Sequence, residues 1–173
     1  DLLEKLAKGF SKNLQALEEN DQSKAQNAVL IFSRAHDSLI ALETGINSAR
    51  NTARWTLRGR FVSSEVKDIA RRYERHAVRL YASSLLFAEA FADALRKEQG
   101  SPPASLHERL ASVASGCAAI ADGNERPVLL PVAPIEMADA VSAPWHLCLQ
   151  HLSTVESALL TFGFSTQKDA PAA

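Results

Sequence analysis

All seven prolines of this 173-residue chain lie beyond position 101. The first hundred residues therefore lack the residue that most reliably breaks a helix. Glycine is scarce there too, with only Gly9, Gly45 and Gly59 before Gly100. Ala and Leu together supply 51 residues, both strong helix formers. Such a chain is expected to fold into long helices, and disordered, collagen-like and β-sandwich compositions are excluded. With 46% hydrophobic residues, it can bury one core and is short for two.

Apolar spacing locates the helices. Leu2/Leu3, Leu6, Phe10, Leu14 and Leu17 recur at helical intervals and predict a first helix. Glu18 to Asp21 forms a polar corner, after which Ser23 is expected to cap a long second helix. Its inward stripe reads Ala25, Ala28/Val29, Phe32, Ala35, Leu39, Leu42, Ile46, Ala49 and Ala53. Gly45 in its middle costs roughly 1 kcal/mol against alanine, which suggests a close approach by another helix. Fraying is expected from Trp55 to Gly59, with Ser63 or Ser64 capping a third helix that stops at Gly100.

The third stripe is Val66, Ala70, Tyr73, Ala77, Leu80/Tyr81, Ser84, Ala88, Phe91 and Leu95. The second and third helices are expected to pair as an antiparallel hairpin. Ser101-Pro102-Pro103 reads as a restart, serine capping and proline in the first turn. A fourth helix carries Leu106, Leu110, Val113, Cys117 and Ile120 and ends at Gly123. Ser142 and Pro144 open a fifth, with Val141, Trp145, Cys148, Leu152, Val155, Leu159 and Phe162 on one seam and Gly163 closing it. The expectation is a single domain, an all-α antiparallel bundle of about five helices with a long hairpin of helices two and three. The main bundle spans 1–122, a Pro-rich linker 123–141 with one turn at Ile135 to Ala140, the last helix 142–163 and a frayed tail 164–173.

Charge sharpens this outline. The net charge of -1 excludes a generic polyanion binder, yet residues 50–79 hold nine basic and three acidic residues. Arg50, Arg54 and Arg58 recur every four residues, as do Arg71, Arg75 and Arg79, and the hairpin brings both rows towards one end. These six are the candidate site for an anionic lipid or an organic-acid ligand, the plain alternative being a solvated face. Trp55 beside them is expected as a lid on the bundle end or an interfacial anchor. Nucleic acid is not expected, since no aromatics interleave the basic residues.

No catalytic or metal constellation emerges. His146 and His151 are five apart and point to different parts of a helix, while His36 and His76 have no second ligand at helical spacing. Cys117 and Cys148 fall on seams and read as buried small hydrophobes, not a disulfide framework or zinc site. No cofactor and no enzymatic activity are expected. The chain starts at Asp1 and its one methionine is Met137, so the expectation is a processed chain or a segment of a longer protein.

The run SARNTARW at 48–55, the corner TLRGR at 56–60 and the stretch ARRYERHAVRLYASSLLFAEAFADAL at 70–95 resemble the soluble domain of the fusaric acid resistance (aromatic acid exporter-like) transporter family. Residues 23–55 are similar to that domain's long helix. Arg75, Arg79 and Ala82 keep part of the family's arginine run, whereas Ala77 and Ser83 replace more characteristic residues. The resemblance implies a non-catalytic domain on the cytoplasmic face of a bacterial inner-membrane efflux transporter for aromatic or other organic acids. Its partners would be the membrane halves of the parent protein. Two readings stand beside it: a ligand-sensing bundle of a bacterial membrane receptor, and a helical dimerisation module, a homo-oligomer pairing through the 106–120 and 141–162 seams.

Overall fold

The computed structural model describes the backbone of residues 1–55, 57–97, 100–123 and 141–168, and within these the side chains of all but 50, 52–73 and 163–168. Five helices follow one another: α1 (Leu2–Glu19), α2 (Gln22–Trp55), α3 (Leu57–Lys97), α4 (Ser105–Ala121) and α5 (Ala143–Lys168). The architecture is an all-α bundle, and α2 and α3 form the long antiparallel hairpin. The Pro-rich linker and its Ile135 to Ala140 turn lie outside the described residues.

Several helix ends differ from expectation, each for a local reason. The cap of α2 is Asp21 rather than Ser23: its Oδ1 accepts the backbone N–H of Ser23 at 2.8 Å and of Lys24 at 3.2 Å. Just before it, Asn20 takes a left-handed conformation (φ 49°), and the Asp21 N–H returns to the Ala16 carbonyl at 2.9 Å. Asn tolerates that conformation better than most residues, so the corner needs no glycine. Ser63 and Ser64 fall within a helix and not at its start, because α3 already begins at Leu57. Ser101 is not the cap of α4 either; the helix starts at Ser105 after the two prolines, and the Leu106 N–H bonds to the Pro103 carbonyl. Gly163 does not end α5, whose backbone stays helical to Lys168. One glycine interrupts a helix without stopping it when both flanks are good helix formers.

The helices form a closed ring. α1 packs on α2 and α4, α2 on α3, α3 on α5, and α5 more lightly on α4. Specific contacts give the directions. Trp145 at the start of α5 meets Phe91 late in α3 at 6.1 Å, and its indole N–H donates to the Gly100 carbonyl at 3.2 Å. His107 at the start of α4 meets Glu18 at the end of α1. One end of the bundle, the corner end, thus holds the α1–α2 corner, the close of α3 and the starts of both α4 and α5. At the opposite end Asp1, Leu2, Ile120, Ala121 and Phe162 line one cavity. α4 and α5 therefore run parallel.

A column of aromatic rings links four helices. Phe32 of α2 meets Phe10 of α1 edge-on at 5.0 Å, Phe10 meets Phe87 of α3 at 5.8 Å, and Phe87 meets Phe91 at 5.8 Å. Trp145 of α5 completes it. Each such pair contributes about 0.5–1.5 kcal/mol beyond the area it buries. Gly9 permits the α1–α2 contact, since a Cβ there would sit 2.6 Å from the Phe32 ring. Close approach thus occurs at Gly9 and not at Gly45, where an added Cβ meets nothing within 4 Å.

Between α4 and α5 the link is ionic. Arg109 grips Glu156 with two bonds, Nε to Oε1 at 2.7 Å and Nη2 to Oε2 at 2.6 Å, and Nη2 also reaches the Ser153 hydroxyl at 2.8 Å. Both side chains are buried, so the geometry satisfies a charge pair that water cannot.

Candidate functional site

The hairpin outlasts the bundle. Ser38 Oγ accepts from Lys5 Nζ at 2.6 Å and donates to Asp1 Oδ2 at 3.2 Å, so Ser38 lies level with the start of α1. α2 nevertheless continues to Trp55 before the chain turns back as α3. From Glu43 to Ala49 its side chains are exposed, apart from half-buried Ile46. Ala49, expected inward, faces solvent, because α1 begins and α4 ends at the level of Ser38 to Leu42 and neither supplies a surface beyond it. Ala53 and Trp55 have side chains outside the described residues.

The six arginines are distributed along this hairpin. Arg50 and Arg54 fall on α2 and Arg58 and Arg71 on α3, with side chains outside the described residues. Arg75 and Arg79 are exposed on α3. Arg75 borders a groove between α2 and α3 of about 530 Å³, floored by Leu39 and Leu42 and rimmed by His36, Ile40, Glu43, Glu74 and Val78. The structure thus sets Arg75 beside two carboxylates, Glu43 and Glu74. At the inner end of the groove His36 lies against Tyr81, ring centres 5.8 Å apart. Burial pushes the Tyr81 phenol above its usual range, and the Asp37 carboxylate pushes it the same way.

Sequence spacing missed what lies on this face. Leu30, Ile40, Val78 and Leu86 are each about half exposed, at 56%, 50%, 50% and 49%. All four fall off the inward stripes, so the available signal was a large apolar residue where the helical period calls for a polar one. By contrast, Leu106, Leu110, Val113 and Cys117, with Trp145, Cys148, Leu152, Val155, Leu159 and Phe162, are buried within their own chain. The 106–120 and 141–162 seams are therefore core and not a surface for a partner.

Both cysteines lie in closed settings. Cys117 is buried and its thiol is pushed up to about 12 by desolvation. Burial raises Cys148 as well, with nearby Arg109 acting weakly against it. A thiol held protonated is no nucleophile and no metal ligand. Asn13 is buried with neither carboxamide atom hydrogen-bonded, but it lines neither this groove nor the cavity at Asp1. Among the described residues no three His, Cys, Asp or Glu side chains converge on a point that could hold a metal ion. Among them, too, no helix is long and apolar enough to cross a membrane.

No family model, curated protein or solved structure matches the chain.

Proposed function

We propose that the chain is a non-catalytic helical domain of a bacterial inner-membrane efflux transporter for aromatic or other organic acids, placed on its cytoplasmic face with a regulatory or assembly role. One observation carries this reading. Asp1 and Phe162 line the same cavity, at the very end from which the α2–α3 hairpin continues. A domain set between two membrane halves must leave and regain the same membrane face, and the start of α1 and the later part of α5 lie together at this end. The hairpin running past that end carries Arg50, Arg54, Arg58 and Arg71 in its sequence and exposes Arg75. Basic residues at an anionic leaflet contribute about 1 kcal/mol each. The resemblance of residues 48–95 to the transporter domain supports the same placement.

The shared end also suits the ligand-sensing bundle of a membrane receptor, which hangs from the membrane by paired termini. Fractionation of the source bacterium, followed with antiserum against this domain, separates the readings. The transporter reading expects the antigen in the inner-membrane fraction, digested by protease only in inside-out vesicles. Antigen in the soluble fraction removes both membrane readings, and digestion from the periplasmic side supports the receptor.

A further inference from the structure

We propose that the outer face of the α2–α3 hairpin is the interface of a symmetric homodimer, with its two-fold axis running along the hairpin. Ile40 and Glu43 of α2 border the same groove as Val78 and Arg75 of α3, so these four residues stand at one height along the bundle. His36 meets Tyr81, which sets neighbouring Asp37 near the height of Arg79. Phe32 and Phe87 both meet Phe10, which sets Leu30 near the height of Leu86.

A two-fold axis parallel to the helices lays α2 of one copy over α3 of the other and keeps every residue at its own height. Isologous contacts then follow. Leu30 meets the Leu86 position of the second copy, Asp37 meets Arg79, Ile40 meets Val78, and Glu43 meets Arg75. Two apolar pairs and two opposite-charge pairs alternate in height along the hairpin. None of the four charged residues makes an ion pair among the described residues. The four apolar ones are among the five large apolar residues left about half exposed among the described residues, the fifth being Leu147 of α5.

Charge also chooses between the arrangements. An axis across the hairpin at the height of Ile40 would lay α2 on α2 and set Asp37 of one copy against Glu43 of the other, which like-charge repulsion disfavours. The four pairs run from Leu30 to Glu43, about 20 Å of helix at 1.5 Å per residue, so they mark the described part of the contact. With the axis along the hairpin, both hairpins project from one side of the dimer, as an axis along a membrane normal would require. The proposal stands on this face alone and does not depend on the transporter reading.

Sedimentation equilibrium of the whole chain, from micromolar to millimolar, tests it. A concentration-dependent dimer is expected. Glu43→Arg and Arg75→Glu, both at exposed positions, should each weaken it by about tenfold. An equimolar mixture of the two variants should recover wild-type affinity as a heterodimer, and the double variant E43R/R75E should pair with itself. Circular dichroism of each variant checks that the helices persist. A wild type that stays monomeric at millimolar concentration overturns the proposal and leaves the face to a different partner. So does a mixture that binds no better than its components.

Discussion

Gly9 of α1 and Gly45 of α2 are both mid-helix glycines, and their surroundings are opposite. At Gly9 the ring of Phe32 occupies the space a side chain would need, whereas around Gly45 there is nothing. The first belongs to the closed body, where α1, α2, α3 and α5 interlock through one aromatic column. The second belongs to the stretch of α2 that has outrun its neighbours. The periodic apolar pattern of α2 runs through both regions without a break, from Ala25 to Ala53. Periodicity therefore reports which face of a helix could be covered, and only the lengths of neighbouring helices decide where the cover ends.

The largest expected effect lies in the body, at the joint where α4 and α5 meet lightly. Arg109→Met leaves Glu156 buried without its partner and should cost about 3–5 kcal/mol in urea unfolding. The double variant R109M/E156L removes both charges and should recover most of that loss, or exceed the wild type. Equal losses in the single and double variants would show that packing, not the uncompensated carboxylate, sets the cost. Gly9→Ala comes next. Its new methyl meets a ring that is fully buried and cannot swing away, so a loss of about 1–3 kcal/mol is expected. Adding Phe32→Leu should make the alanine at position 9 less costly than it is alone.

Much of the body was legible because local chemistry and global packing agree there. The stripes of α1 and α4, Trp145 in the core and the buried cysteines all follow from helical spacing, and the long hairpin follows from the absence of proline. The misreadings have physical causes. Ser23 and Asp21 are both acceptable caps, and the left-handed turn at Asn20 brings the chain into register for the aspartate. Ser63 and Ser64 look like a helix start only if the chain breaks near Gly59, yet the backbone is helical from Leu57 onwards. The arginine rows were visible as sequence, but the neighbours of Arg75 come from a second helix at a height that sequence does not encode. The alternating face of Leu30, Asp37, Ile40 and Glu43 was hidden for the same reason: its complement lies on α3.

Asp21→Ala tests the corner that starts α2. It removes the acceptor of two backbone N–H groups and should cost about 1 kcal/mol, read as a lower unfolding midpoint. Asp21→Ser keeps an acceptor in place and should retain most of that stability.

The smallest effect has the opposite sign and sharpens the comparison most. Gly45→Ala places a methyl in open space on a helix, and it restricts the unfolded chain without meeting any atom. It should raise stability by about 0.5–1 kcal/mol. The same chemical change at Gly9 is expected to lower it, so the pair of variants reads the two regions with one substitution. Propensity is identical in both; only the neighbouring ring differs. Hydrogen exchange adds the spatial readout, since the gain should appear as slower exchange in α2 beyond Leu42 and leave the aromatic column unchanged. If Gly45→Ala instead destabilised the chain, something would have to pack closely on that part of α2, and a partner on the hairpin would be the first place to look.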